Sequence, residues 1–209
     1  MAKYNKQIAL QIIMKAAKEY DEKLKDKHFL IVYRKEHVIE TVKVGFRDFN
    51  FLHLTGVSTK LSAQIFYASC IEARLSENDF ELDKKGKVQQ KLMVLPYLSN
   101  LLYHNCMIGN FINSGVFLKA DYFVGNTKVV LSIGFKSGSN IDYPVTLYNE
   151  DVRRLTNPTN KVLAIFMKEY NQSDYIMCTY QAKNCDISKV PISEDLKREL
   201  IFKKKDILQ

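Results

Sequence analysis

Histidine is the residue type best suited to proton transfer near neutral pH, and one of four in this sequence stands apart by its surroundings. The four are scattered along the chain, so their spacing predicts no metal site. His53 is a lone ionisable ring in the apolar run FNFLHLTGV, which Thr55-Gly56 closes. A tight turn there would bring backbone N–H groups beside the ring. From these residues alone, a core histidine hydrogen-bonded to a backbone carbonyl is the simpler interpretation.

The usual motifs of several enzyme classes are missing. The sequence contains no GxGxxG, GxxxxGK[ST], HExxH or GxSxG pattern and no zinc-ligand spacing. These absences argue against a nucleotide-driven or zinc enzyme, and we expect neither a cofactor nor a metal. The four cysteines form no CxxC pair, so we expect reduced thiols.

Size and composition favour one domain over residues 1–209 with a sizeable core, since 46% of residues are hydrophobic. No apolar stretch is long enough for a membrane span and the N-terminus lacks a signal-peptide pattern, so we expect a cytoplasmic protein without membrane contact. The net charge of +8 favours nucleic acid or anionic lipid as partner. The basic residues are dispersed, and a merely solvated basic surface is an equal alternative.

Helical and strand patterns share the first half of the chain. Apolar spacing predicts an amphipathic helix over residues 6–24. Residues 28–33 and 37–44 are predicted to form a β-hairpin. Residues 46–57 combine strand-like residues with a glycine. Residues 60–75 return to helical spacing, with Ser58 or Thr59 as N-cap and four side chains inward: Leu61, Ile65, Ala68 and Ile71.

Strand patterns dominate the second half, after one more helix. The helix over residues 87–103 must kink or split at Pro96. Two strands, 118–124 and 128–135, flank a turn at Gly125-Asn126, and two more, 162–170 and 175–181, flank residues 171–174. A short terminal helix is predicted at 193–207. Helices followed by strands indicate an α+β fold.

Several short segments together resemble a known family. They are Asn50 to Gly56 (NFLHLTG), Phe66-Tyr67, a Lys-rich turn with Lys91 opening the next helix, and Tyr143 to Leu147 (YPVTL). They resemble the phage-associated nucleases of the barnase, EndoU, colicin and RelE superfamily, specifically the fourth phage class. The resemblance covers about residues 25–170, and NFLHLTG is its most specific part.

The resemblance implies N-terminal helices against a four- or five-stranded antiparallel sheet. It also implies a metal-independent endoribonuclease of a phage or other mobile element, which cleaves RNA through the ribose 2′-OH. Such cleavage needs a base for the 2′-OH proton, an acid for the leaving 5′-oxygen, and cations or donors around the phosphorane.

Six residues are candidates for these chemical roles. His53 is expected as the base or acid, Lys91 and Lys136 as cations beside the phosphorane, and Thr146 or Ser132 as donors to phosphate oxygen. Tyr67 is expected to stack on a base or donate to phosphate, with a place in the core as the alternative. His53, Lys91 and Thr146 are the catalytic candidates; Tyr67, Ser132 and Lys136 are the substrate-binding ones.

Alternative functions remain open. No second histidine or glutamate obviously completes an acid and base pair, which leaves a catalytically inactive module that binds nucleic acid or protein, including one that acts against host defence. Some superfamily members do without such a pair and use lysine, arginine and tyrosine clusters. RNA is the expected partner, with a host or neutralising protein as another. A nucleotide transferase such as an ADP-ribosyl transferase is a weaker alternative, because its sites cannot be assembled from these strands.

Overall fold

The protein, seen in a computed structural model, folds into helices packed on a large antiparallel sheet. The structure describes residues 4–83, 86–112, 120–191 and 193–200. The predicted strand positions 118 and 119 and the predicted helix positions 201–207 lie outside the described residues. The α+β class is confirmed by the arrangement of the described elements.

The helices lie mostly in the first half of the chain. They are α1 (Lys6–Lys23), α2 (Asp48–Thr55), α3 (Ala63–Ile71), α4 (Lys87–Val94), α5 (Val152–Leu155) and α6 (Glu194–Glu199). Short 3-10 segments add Glu77–Asp79, Leu95–Tyr103 and Ile187–Lys189. The predicted split at Pro96 is confirmed, since α4 gives way at Leu95 to the 3-10 segment.

The strands form one main sheet and a two-stranded ladder. They are β1 (Lys27–Lys35), β2 (Val38–Gly45), β3 (Ser58–Thr59), β4 (Phe80–Glu81), β5 (Met107–Phe111), β6 (Tyr122–Asn126), β7 (Leu131–Lys136), β8 (Tyr143–Tyr148), β9 (Thr156–Glu169) and β10 (Met177–Gln181). The main sheet runs β2-β1-β9-β5-β6-β7-β8, with β10 also paired to β9.

The expected four- or five-stranded sheet is wrong, because the main sheet has eight strands within the described residues. The long strand β9 accounts for the difference. Its 14 residues pair with β1 on one side, and on the other side with β5 through Lys161 and with β10 from Ala164 onward. One strand therefore joins the β1–β2 hairpin and β10 to the remaining strands.

The two faces of the sheet are covered differently. Alternate residues of β1, Phe29, Ile31 and Tyr33, point into the large core beneath α1 to α4. Leu30 and Val32 point to the far face, where the C-terminal segment covers them with four buried side chains: Tyr175, Ile187, Val190 and Leu200. Further along the far face, α5 covers Phe123 and Ala120 through Val152.

Local structure differs from the sequence predictions at three places. Residues 48–55 form a helix rather than strand-like chain, because the Arg47 N–H donates to Asn50 Oδ1 and Gly56 ends the helix in the left-handed conformation, φ 76°. The turn predicted at Gly125-Asn126 lies later, since β6 continues to Asn126 and the turn follows at residues 127–130.

The third difference concerns α3. Its N-cap is Ser62, whose hydroxyl accepts from the Ile65 N–H, and not Ser58 or Thr59, which form β3. The helix buries Phe66, Tyr67 and Cys70, while Ile65 is 55% exposed. The predicted inward face was therefore wrong for Ile65, because the later helix start and the large aromatic pair set the contact with α1 and α2.

Candidate active site

His53 lies near the C-terminal end of α2 with its side chain exposed. The apolar run around it is explained by the helix: Phe51 and Leu54 are buried, and Thr55 Oγ1 donates to the Leu52 carbonyl at 2.7 Å. The expected buried, carbonyl-bound imidazole is not what the structure shows. The ring faces outward from the motif.

Lys91 contacts the same helix end. Its ammonium donates to the backbone carbonyl of His53 at 2.8 Å, and its stem lies over Gly56. A cation at this end of a helix interacts favourably with the unpaired carbonyls. Burial lowers the pKa of Lys91 to about 8. His53 and Lys91 are therefore neighbours, through the His53 carbonyl; we call this contact the His53–Lys91 junction.

Tyr67 lies in the core on the same side of the sheet. Its hydroxyl donates to Asp21 Oδ1 at 2.8 Å, and its ring packs edge-on against those of Tyr20 and Phe51. Burial, and then the hydrogen bond to Asp21, raise the pKa of the phenol well above its ordinary value. These contacts correspond to the core alternative for Tyr67.

The other three predicted residues lie on the far face of the sheet. Gly134 pairs with Thr146, and a Cβ there would contact the Thr146 methyl and Phe123, a member of the cluster under α5. Ser132 is fully buried on this face and donates to the Glu150 carbonyl at 2.8 Å. Lys136 is exposed at the end of β7. The sheet therefore separates these three from His53, Lys91 and Tyr67.

A second histidine, His28, lies in a different setting, half-buried and close to an aromatic ring. His28 is half-buried on β1, directly opposite Lys168 of β9, and points to the far face like Leu30. Its ring stands edge-on to the Tyr170 ring, with centroids 5.1 Å apart and planes at 81°. We call His28, Lys43, Arg47, Lys168 and Tyr170 the His28 cluster.

The cluster is assembled from four parts of the chain. Arg47 precedes α2 and places its guanidinium 3.7 Å from the centre of the Tyr170 ring, while its NH1 donates to Asp26 Oδ1 at 2.8 Å. Gly45 pairs with His28 and leaves room for the imidazole, since a Cβ there would lie 3.0 Å from His28 Cδ2. The guanidinium–aromatic contact fixes both groups beside the histidine.

The electrostatics of the cluster favour a neutral imidazole. Partial burial lowers the pKa of His28, and the nearby charges of Lys168, Arg47 and Lys43 lower it further. Carboxylates offset part of this charge, because Glu199 pairs with Lys43 at 3.0 Å and Asp26 with Arg47 at 2.8 Å. A neutral imidazole among cations combines a proton acceptor with groups that stabilise an anion.

A cavity of about 390 Å³ lies between the start of β5 and the end of β10. Because β9 pairs with β5 through Lys161 and with β10 from Ala164, Val162 and Leu163 lie between the two ladders. We call this space the gap cavity. None of the described residues that line it is acidic, and three are cations: Arg34, Lys161 and Lys183.

Comparison with known proteins assigns the chain to a family. The profile described as phage-Barnase-EndoU-ColicinE5/D-RelE like nuclease4 matches residues 12–184. The chain belongs to this family of nuclease-like phage domains. No curated protein and no solved structure matches it.

The matched range of this phage nuclease family includes the whole His28 cluster and the cations of the gap cavity. Two negative findings concern its described residues alone. They bring together no group of three or more His, Cys, Asp or Glu side chains that could hold a metal ion. None of their helices combines the length and apolar character needed to cross a bilayer.

Sequence reasoning missed the His28 cluster because it depends on pairings between distant segments. Lys168 and His28 are partners across β9 and β1, and Tyr170 follows the end of β9. The available signal was modest: a histidine at the start of a strand, and a lysine and a tyrosine near the end of another. Only the register of the sheet shows that they meet.

Proposed function

We propose that this phage nuclease is a metal-independent endoribonuclease whose catalytic centre is the His28 cluster. The observation that carries the proposal is the half-buried His28 imidazole, which lies opposite Lys168 in the sheet and edge-on to the Tyr170 ring that Arg47 covers. The family supplies the broader function of a nuclease. The arrangement supports RNA as substrate, because a histidine base can use the ribose 2′-OH as nucleophile.

His28 has the role of general base. Its lowered pKa leaves the imidazole unprotonated at pH 7, so the ring can accept the proton of the 2′-OH. The 2′-oxygen then attacks phosphorus, the bond to the 5′-oxygen breaks, and a 2′,3′-cyclic phosphate remains on the upstream fragment. The reaction consumes no metal-bound water in this scheme.

Arg47 and Lys168 stabilise the phosphorane. Arg47 directly precedes α2 and Lys168 belongs to β9, and the charge of each lowers the pKa of His28. Tyr170 is 52% exposed, with Arg47 over its ring. Its hydroxyl donates the proton that the leaving 5′-oxygen requires, and its ring contacts the adjoining base.

The test is cleavage of mixed-sequence RNA in EDTA by wild-type protein and by the His28→Ala and Tyr170→Phe variants, with analysis of the fragment ends. We expect 2′,3′-cyclic phosphate ends from the wild type, and loss of cleavage in the first variant. Tyr170→Phe keeps the ring and removes the donor, so we expect reduced cleavage with intact RNA binding.

His37→Ala is the matched control, because His37 is exposed in the turn between β1 and β2. Full cleavage by His28→Ala would refute the assignment. If neither wild type nor variant cleaves RNA while both bind it, the protein is a binding module with the nuclease fold. Cleavage that requires a divalent cation would refute metal independence.

A further inference from the structure

The gap cavity is a partly open space lined by three exposed cations. Arg34 of β1 and Lys161 of β9 are partners in the sheet, and Lys183 follows the end of β10. None of the ion pairs among the described residues involves any of these three cations. Elsewhere on the far face, by contrast, Lys43 is paired with Glu199 at 3.0 Å.

Polar groups complete the wall of the cavity. The Tyr180 hydroxyl donates to Asn105 Oδ1 at 3.0 Å, which brings β10 to the segment before β5. The turn that carries Lys183 is held by the Cys185 N–H, which donates to the Ala182 carbonyl at 3.1 Å. Burial raises the pKa of Tyr180, so its phenol keeps its proton and remains a hydrogen-bond donor.

Arg34, which lines the cavity, lies on the same strand and face as His28. Arg34 follows His28 by six residues on β1, and alternate residues share a face, so both point away from the helices. At roughly 3.3 Å per residue they are about 20 Å apart. Leu30 and Val32, with the C-terminal segment over them, separate the two positions.

We propose that the gap cavity is a second substrate-binding site, which takes a nucleotide phosphate through Arg34, Lys161 and Lys183. A volume of about 390 Å³ is within the range of small-molecule sites and accommodates a nucleotide rather than a bare anion. Three cations that take part in none of the ion pairs among the described residues favour a phosphate, whose oxygens accept hydrogen bonds from such groups. The inference deepens the proposed function and rests on the nuclease acting on RNA.

Two sources share this chemistry: a phosphate within the RNA chain, several nucleotides from the bond at His28, and a free mononucleotide. Binding measurements with RNA and with mononucleotides distinguish these two sources, and they do not depend on cleavage. The experiment uses the full chain with His28→Ala, so that RNA stays intact. In this background, Arg34→Gln, Lys161→Gln and Lys183→Gln are combined, and binding of labelled single-stranded RNA is measured over a range of salt concentrations.

A charge-matched control combines Lys15→Gln, Lys18→Gln and Lys60→Gln, which are exposed on the helical side of the chain. We expect the cavity variant to bind RNA at least about tenfold more weakly, with a salt slope lower by roughly one per cation removed. The control should change the affinity less and bind nucleoside monophosphates like the parent. A cavity variant that matches the control in both RNA binding and monophosphate binding would overturn the proposal.

Competition by uridine and adenosine monophosphates identifies the source. If monophosphates bind the parent but not the cavity variant, and RNA binds both equally, the site takes a free nucleotide. If RNA binding alone depends on the three cations, the site belongs to the RNA path. If the wild-type protein does not cleave RNA, the catalytic assignment of His28 is refuted, whereas these binding results still test the gap cavity.

Discussion

Each end of α2 brings a cation close to a histidine, and the two ends differ in which group the cation faces. At the N-terminal end, Arg47 lies over Tyr170 and acts on the half-buried His28 ring. At the C-terminal end, the Lys91 ammonium binds the backbone carbonyl of His53, whose side chain is exposed. The cation at the N-terminal end lies near an imidazole, whereas the cation at the C-terminal end binds a backbone carbonyl of the helix.

This difference separates a motif that builds structure from a cluster that can do chemistry. In the NFLHLTG run, Phe51 and Leu54 fill the core, Thr55 bonds back to Leu52, and Gly56 provides the left-handed end. Each of these residues has a structural role without any ligand. The cations of the His28 cluster also have structural partners, since Lys43 pairs with Glu199, Arg47 with Asp26, and Lys168 donates to the Ser173 carbonyl at 2.6 Å. The cluster differs from the motif in that these cations lie near a titratable ring and lower its pKa.

The largest expected effect is the difference in cleavage rate between substitutions at His28 and at His53. Removing a general base costs about 10²- to 10⁴-fold in rate, so His28→Ala should reduce the cleavage rate by that order. His53→Ala should leave the cleavage rate within about twofold, because the hydrogen bond with Lys91 is made by the backbone carbonyl of His53 and not by its ring. Single-turnover cleavage of RNA in EDTA measures both. The reverse result would return catalysis to the His53–Lys91 junction.

The next effect concerns Arg47. We expect Arg47→Gln to reduce cleavage by about ten- to a hundredfold, because a phosphorane loses one cationic neighbour. Arg47→Lys should recover only part, since an ammonium cannot stack on Tyr170 as a guanidinium does.

Arg47 also pairs with Asp26 at 2.8 Å, so stability must be followed by thermal unfolding. Asp26→Asn is the control, because it breaks the same ion pair and leaves the guanidinium in place. If Asp26→Asn slows cleavage as much as Arg47→Gln, Arg47 acts through folding rather than at the phosphorane.

Much of the fold follows from local patterns, and the site does not. The periodicity of residues 6–24 and the alternation around residues 28–44 predicted α1 and the β1–β2 hairpin, which the structure confirms. Both signals are local. The α2 helix was missed because its aromatic composition imitates a strand over only eight residues. Its conformation is decided at its ends, by the bond from the Arg47 N–H to Asn50 Oδ1 and by the left-handed C-cap Gly56.

The candidate site depends on contacts that no window of sequence contains. His28 and Lys168 become neighbours through the β1–β9 register, and β9 is also the strand that opens the gap cavity by changing partners. The expectation of four or five strands left no place for these pairings. The sequence also did not show which face of the sheet each strand residue occupies. Three predicted residues lie on the opposite side of the sheet from His53: Ser132, Lys136 and Thr146.

A smaller effect is expected in the pH dependence of stability at the His53–Lys91 junction. Burial lowers the pKa of Lys91 to about 8, below the ordinary lysine value of 10.5 that holds in the unfolded chain. Between these values the unfolded state binds more protons, so the free energy of unfolding rises with pH. From pH 8 to 9.5 we expect a rise of roughly 1–2 kcal/mol from this group.

Urea unfolding across that pH range measures the rise. Lys91→Met keeps the apolar stem and removes the titrating group, so its curve should lack this contribution while cleavage at pH 7 is retained. A variant with the same rise would show that another group titrates. Loss of cleavage with an unchanged fold would instead give Lys91 the catalytic role that the sequence suggested.

The smallest effect concerns Gly56, and Gly86 provides its control. Both glycines have a left-handed φ, 76° and 79°, so alanine at either should cost about 1 kcal/mol in unfolding free energy. At Gly56 the new Cβ would lie 2.6 Å from Lys91 Cδ, whereas among the described residues, chain neighbours aside, no atom lies within 4 Å of a Cβ at Gly86. Gly56→Ala should therefore also displace Lys91 towards solvent and flatten the alkaline rise in stability, which Gly86→Ala should preserve. Equal pH dependence in the two variants would mean that the Lys91 ammonium stays on the His53 carbonyl without the close packing of its stem, and that the C-terminal end of α2 is held by its hydrogen bonds alone.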